Sequence, residues 1–305
     1  MSEETMPATR RTSLSLDGPR PKGAFPHTID DYEDQRHPPH LQRLDEVMPN
    51  HAKVEPLSIH VDDDPDGAVP AFLHLPPDLV SLVPGTQHRT AAILLSGAGG
   101  GVNGPSSIYL SLGCKLATLG TGVPILRLDY RYPARTRYCV RDVVAAMRYL
   151  GRMHGINRFV LVGWSFGGAP VFTVGGSDER VVGCAAIASQ TAGTEGIRKL
   201  APRPVLLVHG TADRTLSCAC SERLYEMYGE DGERELRLFD GDNHALTENA
   251  AAVEAMLCEF IDRCAGIVTD EAERKDIIER VLVEKGEREM YMRSGGDLRG
   301  SESIA

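Results

Sequence analysis

Arg158-Phe159-Val160-Leu161-Val162-Gly163-Trp164-Ser165-Phe166-Gly167-Gly168 runs from a mostly apolar stretch into a serine flanked by glycines. A short apolar run bounded by glycine reads as a buried strand. Ala169-Pro170-Val171-Phe172 behind it can open a helix. Ser165 then falls on a sharp strand-to-helix turn of the pattern G-x-S-x-G. Such a turn strains the serine backbone and drives its hydroxyl out of the sheet. Gly163 and Gly167 suit the turn because strand and helix nearly touch there and side chains would collide. The Phe166 N–H then lies at the helix start, where an oxyanion can be held. With 31 glycines among 305 residues, the pattern alone also fits a tight turn with a solvated serine. Its surroundings decide between the two.

Upstream, Val123–Tyr130 reads as a strand, its early Pro124 suiting a strand's first residues. Arg137–Met153 carries Val140, Val143, Val144, Met147 and Leu150 at helical spacing, and Gly155 stops it. Before these, the apolar strand Ala91–Leu95 ends in Ser96-Gly97-Ala98-Gly99-Gly100-Gly101-Val102-Asn103-Gly104, and a helix follows over Ile108–Thr118. The glycine run has three readings. Gly99, Gly101 and Gly104 satisfy G-x-G-x-x-G, with Asp129 as a ribose partner. However, Pro105-Ser106-Ser107 delays the helix that should start inside that motif, and the missing Gly-Lys-Ser/Thr excludes a P-loop. A flexible surface loop is the plain alternative. Paired with the Ser165 turn, the run reads best as an oxyanion loop, with Ala98 or Gly99 supplying a second N–H. Earlier still, Val54–His60 and Ala68–Leu75 form a hairpin. Asp62, Asp64, Asp66 and Gly67 between them mimic the start of a calcium loop, but Leu73 stands where a glutamate is required.

Downstream, the turn helix reaches about Val174. Strands follow at Val182–Ala188, Pro204–Val208 and Glu235–Phe239, and a helix at Glu248–Cys264 with Thr247 as its cap. Strands that alternate with helices predict an α/β fold: a doubly wound, mostly parallel sheet covered on both faces. In such sheets chemistry collects at the carboxyl ends of the strands. The glycine run, Ser165, His209-Gly210-Thr211-Ala212-Asp213 and Asp240-Gly241-Asp242-Asn243-His244 all lie there. A serine hydroxyl is a poor nucleophile at neutral pH and needs a base within reach. His244 suits that role, with Asp213 to orient it. Asp240 and Asp242 are rival acids, close to His244 in sequence. His209 closes a buried strand and reads as structural.

With these pieces in place the chain resembles an α/β-hydrolase, most like the small lidless, dienelactone-hydrolase-like branch, over about residues 52–266. The matching motifs are Gly97-Ala98-Gly99-Gly100, Gly163 to Gly168, His209 to Asp213 and Gly241-Asp242-Asn243-His244. Ser165, Asp213 and His244 stand in the Ser…Asp…His order of that fold. The resemblance implies a catalytic triad of those three residues, an oxyanion hole from Ala98, Gly99 and Phe166, and no cofactor. One departure matters: dienelactone hydrolases use a cysteine nucleophile, and Ser165 holds that position here. This points to a carboxylic ester or thioester hydrolase acting on a small acyl substrate. A serine peptidase and a catalytically silent scaffold of the same fold are the alternatives. Trp164, Tyr130 and Arg131 are candidate substrate contacts. The short stretch between Ala188 and Pro204 leaves no room for a cap domain and predicts an open site.

The composition bounds the rest. A net charge of −10 disfavours nucleic acid and anionic membranes as partners. No apolar stretch approaches the roughly 20 residues that span a bilayer. The acidic Met1-Ser2-Glu3-Glu4-Thr5 does not resemble a secretory signal. Seven scattered cysteines read as reduced thiols, and Cys218-Ala219-Cys220 lacks zinc spacing. Together these suggest a cytoplasmic protein with no metal site. Residues 1–51 read as a disordered tail, with Arg10-Arg11-Thr12-Ser13 as a basophilic kinase pattern. Residues 267–305 read as a charged helix with Ile277, Ile278, Val281 and Leu282 on one face, followed by a disordered end from Gly295. That face can dock on the body or pair with a second copy.

Overall fold

The computed structural model describes residues 28–35, 43–44, 52–63, 67–77, 79, 89–119, 122–300 and 304. The Arg10–Ser13 pattern and most of the acidic turn before Gly67 lie outside them. Eight strands form one sheet: β1 (Lys53–Val61), β2 (Gly67–Leu75), β3 (Thr90–Leu95), β4 (Ile125–Leu128), β5 (Arg158–Trp164), β6 (Val181–Ile187), β7 (Val205–Gly210) and β8 (Arg234–Phe239). Their spatial order is β1-β2-β4-β3-β5-β6-β7-β8. β1 and β2 form an antiparallel hairpin, and β2 also meets β4 antiparallel. The remaining pairs are parallel. The sheet is thus mostly parallel, as the strand–helix alternation predicts.

The central strands are mostly apolar and almost wholly buried because both faces are covered. Along β3, Ala91, Ile93 and Leu95 enter one core cluster while Ala92 and Leu94 enter the other. That is the period-2 alternation of a strand dividing its side chains between two cores. The edge strands carry charge at half-exposed positions, such as Glu55 on β1 and Arg234 on β8, which discourages edge-to-edge pairing.

Helices α1 (Ile108–Thr118), α2 (Thr136–His154), α3 (Gly168–Gly175), α4 (Ala219–Tyr228) and α5 (Ala250–Ala265) cover the two faces. α2 presents Val143, Ala146, Met147 and Leu150 to one cluster. It ends at Gly155, whose φ of 63° is the left-handed conformation that closes helices. α4 has no counterpart in the sequence reading. Its buried face is Leu224 and Tyr228, with the polar Ser221 one turn before them, too sparse an apolar stripe to announce a helix. The expected Thr247 cap on α5 is also corrected. The helix begins after Asn249 without a side-chain cap of its own, while Asp242 accepts from the N–H groups of Glu248 and Asn249. Residues 188–204 hold only a 3-10 turn, Glu195–Lys199, so no cap domain enters there.

The ends of the chain differ from their expectation. The described part of the N-terminal region includes a 3-10 segment, Ile29–Gln35, whose Tyr32 is 1% exposed. The C-terminal region is not one long helix. It breaks into short turns and then α6 (Arg288–Ser294). Ile277, Ile278 and Leu282 bury themselves in the cluster that also holds α1 and α5 side chains, so most of the predicted stripe is used within the chain. Val281 remains exposed. Because this region wraps α1, every residue of that helix is buried. Even Lys115 is enclosed, donating to the Ile278 carbonyl and pairing with Glu254 at 2.7 Å. The residues after α6 are ordered against the glycine run, as described below. Among the described residues no helix is long and apolar enough to cross a membrane, and none of the seven cysteines forms a disulfide.

Candidate active site

β5 ends at Trp164, and Ser165 turns the chain with φ 54° before α3 begins. A non-glycine residue in this left-handed region is strained and is held only by its surroundings. Those surroundings are close at hand. A Cβ on Gly163 would stand 2.4 Å from the Gly167 backbone, and one on Gly167 2.7 Å from the Ser96 carbonyl oxygen. No real side chain tolerates either contact. The two glycines let the strand, the turn and the glycine-rich loop pack backbone to backbone, which is the reason the motif predicts.

Asp213 lies in the loop beyond β7, and His244 beyond β8. His244 Nδ1 stands 2.6 Å from Asp213 Oδ2. An ionised carboxylate only accepts, so Nδ1 carries the proton and Nε2 keeps the lone pair. Asp213 is itself held firmly. Its Oδ1 accepts from the N–H groups of Thr215 and Leu216, both at 2.8 Å. Its Oδ2 also meets His209 Nε2 at 3.0 Å. Burial alone would raise the Asp213 carboxyl. Hydrogen bonds from His209 and His244 outweigh it and hold the group well below the usual carboxylate range. His209 is fully buried, with its other ring nitrogen 2.7 Å from Ser221 Oγ. It braces the acid at the same oxygen that His244 meets. Asp242, a rival acid in sequence, is engaged at the start of α5, and Asp240 accepts from the Thr211 hydroxyl.

Trp164 ties the histidine loop to the serine turn. Its indole N–H donates to the His244 carbonyl at 3.1 Å, and the two rings lie 5.4 Å apart. The side chain is fully buried, so it packs beneath the turn and lines no open pocket. Tyr130 is likewise 2% exposed. It packs edge-to-face on Phe166 with centroids 6.1 Å apart, and its hydroxyl donates to the Ser96 carbonyl. Arg131, the third candidate substrate contact, has a side chain that is 4% exposed and pairs with Asp142 at 2.5 Å and Asp63 at 3.5 Å. Burial pushes the Asp142 carboxyl up to about 6 against the pull of that arginine. The three residues adjoin the site in sequence, but their side chains are spent on packing and pairing.

The site residues themselves are well enclosed by the chain. Ser165 is 5% exposed and His244 fully buried. The 3-10 turn Pro105–Ser107 lies against the histidine loop, where Ser106 Oγ donates to the Ala245 carbonyl. That turn is anchored in its own right to α6, through Arg288 to the Ser106 carbonyl and Ser107 to the Arg288 carbonyl.

The glycine-rich loop holds the largest surprise. Asp129 is not available to a ribose. Its Oδ1 accepts from the Gly101 and Tyr130 N–H groups, and its Oδ2 from the Tyr32 hydroxyl at 2.5 Å. Asp297, from the predicted disordered end, is fully buried in the same loop. It accepts from the Ser96 hydroxyl, from Asn103 N at 3.0 Å and from Gly104 N at 2.7 Å. Tyr32, Ser96, Asn103 and Asp297 escape sequence reasoning because they are polar residues without a motif. The one available signal is Gly295-Gly296-Asp297, a turn-like triplet that permits close approach. Among the described residues no cluster of histidine, cysteine or acid suits a metal ion.

No protein-family model matches the sequence, and no curated protein matches it. Solved structures do. The chain is similar to Est1E from Butyrivibrio proteoclasticus, at 16% identity and a TM-score of 0.54, over 68% of this chain and 99% of that one. It is similar to a dienelactone hydrolase from Anabaena variabilis, at 17% identity and 0.55, over 70% and 98%. A lidless α/β serine hydrolase from Xanthomonas campestris matches at 14% and 0.52, over 70% and 97%. This chain has the α/β-hydrolase fold. Each neighbour is covered almost whole, yet roughly three tenths of this chain lies outside the match.

Proposed function

We propose that the protein is a serine hydrolase that cleaves a carboxylic ester or thioester through an acyl-enzyme on Ser165. The observation that carries this reading is the buried Asp213–His244 pair at 2.6 Å, bonded through Trp164 to the turn that presents Ser165. A strained serine at a strand-to-helix turn, a histidine with one nitrogen fixed as donor and an acid that fixes it are the parts of acyl transfer. Two of the structural neighbours, a dienelactone hydrolase and a lidless serine hydrolase, agree with that chemistry.

In the proposed cycle Ser165 Oγ attacks the substrate carbonyl carbon while its proton passes to His244 Nε2. The carbonyl oxygen becomes an oxyanion, held by the Phe166 N–H and that of Ala98 or Gly99. The bond to the leaving alcohol or thiol breaks as His244 returns the proton to it. Water, deprotonated by the same nitrogen, then attacks the acyl-enzyme, releasing the carboxylic acid and restoring Ser165. The steps call for no metal or cofactor.

A fluorophosphonate probe tests this directly. The natural protein should label, while Ser165→Ala and His244→Ala should not. A folded natural protein that fails to label overturns the reading and favours a silent scaffold of the same fold.

A further inference from the structure

The glycine-rich loop takes its shape from distant parts of the chain. Four consecutive backbone N–H groups, Gly101 to Gly104, point away from solvent. Gly101 donates to Asp129. Val102 donates to the Gly295 carbonyl at 3.0 Å. Asn103 and Gly104 both donate to the Asp297 carboxylate. Three of these four donors are therefore satisfied by the residues just after α6. The Asn103 side chain adds a bond to the Tyr291 carbonyl at 2.7 Å.

The contact is also one of shape. A Cβ on Gly101 would lie 2.6 Å from Asp297, and one on Gly99 2.4 Å from the Arg299 carbonyl oxygen. Part of the glycine content of this loop thus accommodates the chain's own C-terminal segment. Arg299 fastens the far end, donating to the Tyr32 hydroxyl at 2.5 Å and lying 3.3 Å from Asp129. Asp129 in turn holds Gly101. The circuit closes on itself, joining the region before β1, the end of β4, the loop after β3 and the segment after α6.

We propose that Gly295–Arg299 is a positioning clamp for the oxyanion loop, with Asp297 as its central positioning residue. It sets where the Ala98 and Gly99 N–H groups stand relative to Ser165. This rests on the serine-hydrolase reading above. The physical argument is that glycine-rich backbone has little stiffness of its own, whereas an oxyanion donor must be in place before charge develops. A buried carboxylate that accepts three hydrogen bonds, one from Ser96 at the root of the loop and two from its far end, supplies that stiffness. Burial pushes the Asp297 carboxyl up to about 7, against the Ser96, Asn103 and Gly104 hydrogen bonds and the charge of Arg299. The group is therefore retained at a cost, as a residue kept for geometry would be.

Asp297→Asn keeps the shape and one acceptor but turns the other oxygen into a donor facing N–H groups. In full-length protein acting on p-nitrophenyl butyrate, kcat should fall by roughly 10- to 100-fold with KM nearly unchanged, since misplaced groups near the reacting atoms cost about that much. Amide hydrogen exchange at Val102–Gly104 should quicken, while exchange in β5 and α3 stays as it was. Arg299→Ala should move both readouts in the same direction by less, and it carries the test if Asp297→Asn does not fold. Unchanged kcat in a variant that folds overturns the clamp. So does a raised kcat, which would make the segment an obstruction. A natural protein that neither labels with fluorophosphonate nor turns over ester overturns the hydrolase reading instead. A natural protein that labels beside an equally active Asp297→Asn overturns the clamp alone.

Discussion

The serine turn and the glycine-rich loop stand side by side and are built in opposite ways. The turn is nearly self-contained. Gly163, Ser165 and Gly167 lie within five consecutive residues, and the strain at Ser165 is held by backbone contacts within the turn and to Ser96. The loop is assembled. Its shape depends on Asp129 at the end of β4, on Tyr32 before the sheet and on Asp297 near the C-terminal end. The difference teaches that proximity in sequence and proximity in the site are separate matters. A nucleophile can be specified by a short motif because its strain is local. An oxyanion loop made of glycine has no such local determinant and takes its form from whatever packs on it.

The comparison can be broken most sharply at the serine. Ser165→Ala should lower kcat/KM by roughly 10⁴- to 10⁶-fold, while the thermal unfolding midpoint barely moves because the turn keeps its glycines. A large loss of stability would show that the turn is not self-contained.

Asp213→Asn should cost roughly 10⁴-fold in kcat, since an amide at that site selects the wrong imidazole tautomer. It should also change the acid limb of stability. The folded-state carboxyl is depressed, so its stabilisation is present above the unfolded value of about 4 and fades as pH falls below it. Urea unfolding between pH 5 and pH 2 should therefore be less steep with pH in the variant.

On the loop side, Gly101→Ala should lower kcat by roughly 10-fold, because φ of 102° and contact with Asp297 both reject a side chain. Combined with Asp297→Asn, the losses should be clearly less than additive, as expected for two changes that release one contact. Full additivity would separate the loop from the C-terminal segment.

Arg131→Ala distinguishes packing from recognition. It strands a buried Asp142 and should lower stability by about 3 kcal/mol with KM unchanged. A raised KM for an acidic ester would support the substrate role expected from sequence.

The smallest effect belongs far from both regions. Asp262 on α5 is 6% exposed, with one carboxylate oxygen lacking any hydrogen-bond partner among the described residues. Burial raises its carboxyl to about 6. A raised carboxyl favours the folded state when protonated, so its contribution to stability declines as pH rises from about 4 to about 6 and then levels off. Asp262→Asn should flatten that part of the stability profile, measured by urea unfolding, and leave activity alone.

Much of the fold was legible. β3, β5 and β7 are apolar runs ended by loops rich in glycine or aspartate, and α2 carries a clear stripe closed by Gly155. The doubly wound, mostly parallel sheet follows from that alternation. The motif around Ser165 is equally plain because its chemistry and its strain share one stretch of chain. Less was legible where partners are remote. The side chains of Trp164, Tyr130 and Arg131 adjoin the site in sequence, yet tertiary packing buries all three. α4 has too sparse a stripe to announce itself. The residues after Ser294 look polar and glycine-rich, and nothing local says that Asp297 will be buried.

The sequence by itself determined the strand–helix alternation, the serine turn and the order of Ser165, Asp213 and His244. Each of these rests on short-range periodicity or on steric rules that act over a few residues. Only the tertiary structure decided that Asp213 serves two histidines, that the C-terminal stripe folds back on α1 and α5, and that Asp297 closes the glycine-rich loop. Those outcomes depend on hydrogen bonds between residues far apart in the chain, such as the 201 positions that separate Ser96 from Asp297. A buried carboxylate is placed by where donors converge in space, and no pattern along the chain records that.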